Sequence, residues 1–342
     1  MKKVKYFLMA TPLLLLVGIA ACKKAGSQLE EQQPKLIAKA SDINDPVLDD
    51  MDVSKDVATF FAKRGPQAQL FKFNTKDLPV LIKTDKGTAI TVPPDAFTVN
   101  GQPANGEVLF AVKEFTDRGD VLTGGINTMG EQGMLITDGS FNLDAAVDGK
   151  KVDDKLAKPL DINVPVAVPG LANTGLFEGA PQDDPAAQAP FLWNRPAANP
   201  PAAAAGGGTF NFDWSTMGWL NCDRYWNLTP STTITINLTN NPGTLADYMG
   251  SNGGNTYVLF VPQGINSIAH VYTHTTNTQV QSYANSIPVG VTAKLVAFSN
   301  VSGSWYYTEK VVTVTPNMVE SLTFSPSTET TVTNNLNALS SY

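Results

Sequence analysis

The chain has 342 residues, of which 42% are hydrophobic and 16% are charged, so it holds enough apolar material for two folded cores. Acidic residues outnumber basic ones by 31 to 24, which gives a formal net charge of −7 at pH 7. Because nucleic-acid binding is dominated by cations on phosphates, this charge argues against nucleic acid as a partner and against a basic membrane-binding patch.

The N-terminal residues have the pattern of an export signal. Three lysines form a basic start, an apolar run extends to residue 21, and small residues precede Cys22 in the string Ile19-Ala20-Ala21-Cys22. The run is shorter than the roughly 20 apolar residues that cross a membrane. The pattern therefore predicts a cleaved signal peptide over residues 1–21.

The position of Cys22 predicts a lipid anchor. In bacterial lipoproteins, a Cys that follows small residues in this way becomes the new N-terminus and carries the lipids. We therefore expect lipid attachment at Cys22, contact with a membrane through that lipid, and a location in the cell envelope. Residue 23 is Lys rather than the Asp that favours retention at the inner membrane, so the outer membrane is favoured. An ordinary cleaved signal with a chance Cys is the alternative.

Cysteine content indicates how the mature chain is stabilised. Removal of residues 1–21 leaves 21 basic and 31 acidic residues, a net charge of −10, which favours solubility. Cys222 is the other cysteine, so we expect no intrachain disulfide beside a lipidated Cys22. No basic neighbour lowers the thiol pKa, so Cys222 is expected to be a small buried residue rather than a nucleophile.

Residues 22–67 are polar and acidic and are expected to form a flexible tether with one short helix. Ser54 is the expected N-cap, and Gly65-Pro66 the expected stop after Arg64. Phe60 and Phe61 lie on the predicted apolar side of this helix.

Short strand patterns follow over residues 68–168 and predict a first β-sandwich domain. They are punctuated by turn signals, among which Asp138-Gly139 and Asp148-Gly149 indicate hairpins and Asn100-Gly101 a turn. Residues 169–208 are rich in Pro, Ala and Gly and predict a linker, within which Phe191-Leu192-Trp193 is expected to dock onto a domain.

A second series of strand patterns covers residues 209–326 and predicts a second sandwich of immunoglobulin-like size. Residues 327–342 are rich in Ser, Thr and Asn and are expected to form a loose tail. The predicted fold class is therefore all-β, with two β-sandwich, immunoglobulin-like domains after a signal peptide and a flexible tether.

Two stretches resemble sequences in uncharacterised envelope lipoproteins of the Bacteroidota. The first is Gly-Thr-Ala-Ile-Thr-Val-Pro-Pro-Asp-Ala-Phe from Gly87 to Phe97, followed by Gly106-Glu-Val and Lys113-Glu-Phe. It is also distantly similar to the β-sandwich module of netrin receptors and ankyrins. The second stretch is Gly218-Trp-Leu-Asn-Cys-Asp223. The resemblance implies an envelope lipoprotein of two β domains and supplies no activity.

Residues that usually carry catalysis or bind metals are sparse. The two histidines, His270 and His274, fall in a strand pattern that separates them by about 13 Å, too far to share one zinc ion. Nucleophile elbows, phosphate loops and paired Cys-x-x-Cys motifs are missing from the sequence. We therefore expect no metal, no cofactor and no enzyme. Two alternatives remain: calcium bound near Asp117-Arg118-Gly119-Asp120, and a hydrolase built on two carboxylates about 5 to 10 Å apart.

Aromatic residues are the remaining signal for binding. Trp214, Trp219, Tyr225 and Trp226 lie within 13 residues, and Trp305 begins a second group. Trp219 is expected in a sandwich core. Adjacent strand residues point to opposite faces, so one of Tyr225 and Trp226 is expected to be exposed. These two residues and Trp305 are the candidate ligand-binding side chains. The leading hypothesis is a structural or adhesive lipoprotein with a protein or glycan partner, and the alternative is a carbohydrate-binding lipoprotein.

Overall fold

The computed structural model describes residues 33–40, 56–165, 174–181, 191–196, 203–205, 208–227, 229–246 and 253–342. The predicted signal peptide, the lipid-attachment residue Cys22 and most of the predicted tether lie outside the described residues. Strands dominate the described chain, which confirms the all-β class.

The strands of the first half are β1 (Lys35–Ile37), β2 (Gln69–Asn74), β3 (Val80–Lys83), β4 (Ala89–Val92), β5 (Thr98–Val99), β6 (Gln102–Pro103), β7 (Glu107–Phe115), β8 (Met129–Gly130), β9 (Gly133–Val147), β10 (Lys150–Lys151), β11 (Lys155–Pro165), β12 (Gly175–Pro181), β13 (Phe191–Asn194), β14 (Ala203–Ala205), β15 (Thr209–Thr216) and β16 (Gly218–Tyr225).

The strands of the second half are β17 (Ser231–Thr232), β18 (Thr235–Thr239), β19 (Thr256–Pro262), β20 (Ala269–His270), β21 (Thr273–Thr276), β22 (Gln279–Gln281), β23 (Ile287–Pro288), β24 (Thr292–Val301), β25 (Ser304–Thr313), β26 (Val319–Thr323) and β27 (Ser325–Ser327). The helices among the described residues are α1 (Val57–Arg64), α2 (Arg118–Thr123) and α3 (Glu329–Ala338), with 3-10 turns at Thr75–Asp77 and Leu339–Ser341.

Two sheets enclose the core of the first half. One has the strand order β1-β3-β4-β11-β15-β14, and the other has the order β16-β12-β13-β8-β9-β7-β2. An additional pairing of β16 with β9 closes the strands from β16 to β9 into a small barrel. Side chains that alternate along both sheets, such as Ile90, Phe110 and Ile162, form one buried cluster.

The second half has a four-stranded sheet, β21-β22-β18-β26, and a five-stranded sheet, β20-β19-β24-β25-β27. Ile234, Ile236 and Leu238 face the same buried cluster as Val258 and the other inward residues of the five-stranded sheet. Strand β19 is buried along its whole length, so its opposite face needs a second cover.

Three helices provide that cover. A third buried cluster joins Phe60 of α1, Val121 of α2 and Leu336 of α3 to Tyr257 and Phe298 on the outer face of the five-stranded sheet. Both halves of the chain therefore contribute to one core, and residues from Pro34 to Tyr342 belong to a single compact unit.

The predicted helix is present with a different cap. Asp56, not Ser54, precedes α1, and its side chain accepts a hydrogen bond from the Thr59 amide at 2.8 Å. Ser54 lies outside the described residues. The helix ends where the Gly65 amide donates to the Phe61 carbonyl, as the Gly-Pro signal predicts.

The turn signals give two confirmations and one correction. Both residues of Asn100-Gly101 and of Asp148-Gly149 have positive φ, as two-residue hairpins require. The hairpin predicted at Asp138-Gly139 is wrong, because β9 runs straight through that pair. The register places Asp138 and Gly139 opposite Cys222 alone, so the dipeptide forms a β-bulge, with Gly139 at φ 148°.

Strand pairing divides the chain at a different place from the sequence pattern. Strands β15 and β16, expected in the second domain, pair with β11 and β9 of the first half. Within the expected linker, β12, β13 and β14 are sheet strands, and Phe191 and Trp193 are buried, as their expected docking requires.

The residues expected to form a loose tail carry helix α3. Thr328 caps this helix by accepting from the Thr331 amide at 3.1 Å, and Val332 and Leu336 are buried on its inner side. The prediction of a loose tail is wrong. The polar composition hides two apolar residues, Val332 and Leu336, whose spacing of one helical turn gives the helix a buried side.

Candidate functional site

The aromatic residues that were candidates for ligand binding are buried to different degrees. Trp305 is only 6% exposed and Trp214 only 5%, and Trp219, Tyr225 and Trp226 are half-buried. Trp226 packs against the core of the second half. Of the candidate residues, Trp305 is therefore buried, whereas Tyr225 and Trp226 keep part of their side chains exposed.

Ring contacts explain this burial. The Trp219 ring lies 5.4 Å from Phe115 and 5.5 Å from Phe191, and the Trp305 ring lies 5.0 Å from Phe60. Such edge and tilted contacts favour a packed interior. The aromatic clusters in the sequence thus supply core contacts, several of them with partners far away in the chain.

The two histidines lie in different environments. His270 is buried in β20 and stacks on Tyr257 with ring centroids 3.8 Å apart, whereas His274 is exposed. Burial, with a smaller effect of His274, lowers the pKa of His270 to about 3. Across the described residues, no group of three or more His, Cys, Asp or Glu side chains is placed to hold a metal ion.

The acidic string at residues 117–120 has a structural role. Asp117 accepts from the Asp120 amide at 2.9 Å, and Asp120 accepts from the Asp117 amide at 3.4 Å, so the two form a capping box at the start of α2. Asp120 also pairs with Lys86. These contacts give both carboxylates partners within the fold.

The strongest candidate site is a cleft of about 440 Å³ between the two halves of the compact unit. Its volume lies in the range of small-molecule sites. Five chain segments line it: the end of β7 with the start of α2, strand β9, strand β16, the loop at residues 264–266, and the C-terminal turn. The lining residues are Thr116, Asp117, Arg118, Ile136, Thr137, Asp138, Arg224, Gly264, Ile265, Asn266, Ser340, Ser341 and Tyr342.

An ion pair lies in the wall of this cleft. Arg224 Nη1 is 3.4 Å from Asp138 Oδ2, and the Thr174 hydroxyl donates to the same oxygen at 3.2 Å. The bulge at Asp138-Gly139 turns the Asp138 side chain to this position, since a bulge redirects one side chain of a strand. Burial raises the pKa of Asp138, and Arg224 and Thr174 offset part of that effect.

A second carboxyl lies behind the ion pair. Asp223 is fully buried and accepts a hydrogen bond from the Asn221 side-chain amide. Burial raises its pKa well above the ordinary value for Asp, and the charge of Asp138 acts in the same direction. Burial therefore disfavours the charged form of both carboxyls, and Asp138 has Arg224 as a compensating partner.

The thiol beside these carboxyls is not activated. Cys222 is free and buried, as the sequence predicts. Burial raises its pKa well above the ordinary value, and the charges of Asp223 and Asp138 act in the same direction. A nucleophilic thiolate is therefore disfavoured at this position.

Arg118 holds the rim of the cleft together. Its guanidinium donates to the Leu339 carbonyl at 3.3 Å and to the Ile265 carbonyl, and the residue is buried. The Asn266 side-chain amide donates to the Thr137 carbonyl at 2.8 Å and joins the loop to β9. The cleft is thus fixed by hydrogen bonds between segments that are distant in sequence.

No protein-family model, no curated protein and no solved structure matches this chain. The resemblance to envelope lipoproteins therefore stays a prediction. Within the described residues, no helix is long and apolar enough to cross a membrane.

Sequence reasoning did not identify the cleft. The Asp138-Gly139 pair predicts a hairpin turn rather than a site, and Arg224 carries no motif. The available signal was the Asp-Gly pair inside a long strand pattern, because a glycine there also indicates a bulge.

Proposed function

We propose that this protein is an envelope lipoprotein, held to a membrane by a lipid on Cys22, with a structural or binding role and no enzymatic activity. The observation that carries the proposal is the string Ile19-Ala20-Ala21-Cys22 after a basic start and an apolar run. Its location is proposed to be the outer membrane, since residue 23 is Lys.

Chain length supports a body held near the membrane. The first described strand begins at Lys35, 13 residues after Cys22. An extended chain spans at most about 3.3 to 3.6 Å per residue, so this connection reaches about 45 Å at most. Within the predicted tether of residues 22–67, β1 pairs with β3 and α1 contributes to the core beneath the helices.

The finer architecture belongs to the same proposal. We interpret the two halves as two sandwich-like units that share the core beneath the helices, with immunoglobulin-like size as the expected scale. A protein or small-molecule partner is favoured over a polysaccharide, because the aromatic side chains that would stack on sugars are buried or half-buried.

The test is replacement of the predicted lipid-attachment residue. Cells expressing the full-length protein or its Cys22→Ala variant are labelled with an alkyne analogue of palmitate and then fractionated. The wild-type protein is expected to be labelled and to stay with the membranes, and Cys22→Ala is expected to lose both properties. Cys222→Ala is the matched control and keeps the label. Unlabelled wild-type protein in the soluble fraction would contradict the lipid anchor.

A further inference from the structure

We propose that the cleft beside Asp138 and Arg224 binds a small zwitterion, a molecule with one carboxylate and one ammonium group such as a free amino acid or a short peptide. The proposal rests on the binding role proposed above and does not depend on the lipid. In it, Arg224 receives the carboxylate, and Asp117 receives the ammonium group.

Arg224 is suited to a carboxylate ligand because most of its hydrogen-bonding capacity is unused. A guanidinium has five N–H donors in a planar fork that matches a carboxylate. Among the contacts of the described residues, its side chain makes one polar contact, the 3.4 Å contact from Nη1 to Asp138. The side chain is 22% exposed and lines the cleft, so its remaining donors are accessible from that side.

An exposed carboxylate in the same cleft favours an ammonium group. Asp117 is exposed, and only one of its carboxylate oxygens, Oδ1, is used in the helix cap. Asp138 is buried but lies against Arg224 in the wall. A ligand with carboxylates alone would meet the exposed carboxylate of Asp117, whereas a ligand with an ammonium group pairs with it.

The size and walls of the cleft favour a small peptide over a larger ligand. A volume of about 440 Å³ accommodates a molecule of a few residues. Ile136 and Ile265 supply apolar wall next to the charged groups, which suits small aliphatic side chains. Asp223 is fully buried and is not among the residues that line the cleft.

The experiment uses three probes that differ in their charged end groups. Detergent-solubilised full-length protein is titrated calorimetrically with L-alanyl-L-alanine, with its N-acetyl derivative, which lacks the ammonium group, and with its C-terminal amide, which lacks the carboxylate. The zwitterion is expected to bind, and each derivative is expected to bind about tenfold more weakly or worse, the effect of one lost charged hydrogen bond. Absence of binding by the dipeptide, or equal binding of all three probes, would overturn the proposal.

Variants assign the two poles of the site. Arg224→Gln is expected to lose about tenfold in affinity for the dipeptide, and Arg224→Lys to lose less, because Lys keeps the charge without the fork. Asp117→Asn keeps a good helix cap. It is expected to weaken binding of the dipeptide and to leave binding of the N-acetyl derivative unchanged. Lys72→Gln, which removes an exposed pair with Glu107 outside the cleft, is the control.

The result is separable from the lipid anchor. Palmitate labelling at Cys22 reports on the anchor whatever the calorimetry shows, and a folded Arg224→Gln variant that binds the dipeptide as the wild type does would overturn the site alone. Far-UV circular dichroism establishes that each variant is folded. The Arg224→Lys variant provides a second reading if the Gln variant does not fold.

Discussion

His270 illustrates how burial determines the behaviour of a single ionisable residue. Its ring stacks on Tyr257 in the interior, and burial lowers its pKa to about 3. The unfolded chain takes up a proton at this residue near pH 6.5. Between these pH values the unfolded state binds more protons at His270 than the folded state does. The free energy of unfolding therefore decreases as the pH falls from 6.5 towards 3.

Replacement of His270 by Phe is therefore expected to reduce acid sensitivity. Phe keeps a flat ring against Tyr257 and takes no proton. Between pH 7 and pH 4.5, the wild-type protein should lose about 2 to 3 kcal/mol more of its free energy of unfolding than His270→Phe. Urea denaturation at both pH values measures this difference. The exposed His274→Gln is the control, and an unchanged pH dependence in His270→Phe would contradict the assignment.

Among the elements, helix α1 shows how a short segment can be stabilised by its contacts. Eight residues are too few for a stable isolated helix. The Phe60 ring lies 5.0 Å from Trp305 and 5.8 Å from Phe298, so α1 packs on the five-stranded sheet. Arg64 also pairs with Glu329 of α3 at 2.7 Å, but such an exposed pair contributes little.

Phe60→Ala is expected to destabilise the whole protein. Truncation of a buried Phe leaves a cavity and costs about 3 to 5 kcal/mol. Because the cavity would lie in the core shared by both halves, thermal and urea denaturation should both show the loss. Lys63→Ala, on the same helix outside that core, should change stability by less than about 0.5 kcal/mol. A near-neutral Phe60→Ala would mean that α1 does not belong to the core.

At the scale of the whole molecule, hydrogen bonds and a shared core join the two halves in addition to the chain connection between them. The Thr128 amide donates to the Ile268 carbonyl at 2.9 Å, and the Thr137 amide donates to the Asn266 carbonyl at 2.9 Å. The core beneath the helices contains residues from α1 and α2 as well as from β19 and β24. Separation of the halves would expose that core to water, which costs free energy in proportion to its apolar area.

The mature chain is therefore expected to unfold in one cooperative transition. Scanning calorimetry of the Cys22→Ala chain should give a single peak whose calorimetric and van't Hoff enthalpies agree. Urea curves followed by Trp fluorescence and by far-UV circular dichroism should coincide. Two resolved transitions would show that the halves are energetically independent, as the two-domain interpretation of the sequence alone implies.

Features that depend on neighbouring residues in the chain were determined by the sequence. The strand patterns, the Asn100-Gly101 and Asp148-Gly149 turns, the Gly65-Pro66 helix stop and the burial of Cys222 all follow from local geometry or from residue type. The predicted lipid site at Cys22 also follows from a contiguous string, and it stays a prediction until it is tested.

Features that depend on which strands pair were decided by the tertiary structure alone. Asp138 lies beside Arg224 because β9 pairs with β16 and a bulge redirects one side chain. The two residues are 86 positions apart, and no local sequence pattern indicates that they are neighbours. Likewise, Trp305 is buried because Phe60 reaches it from the other half. Long-range pairing is set by the sum of many buried contacts, whereas turns and signal peptides are set by a few adjacent residues.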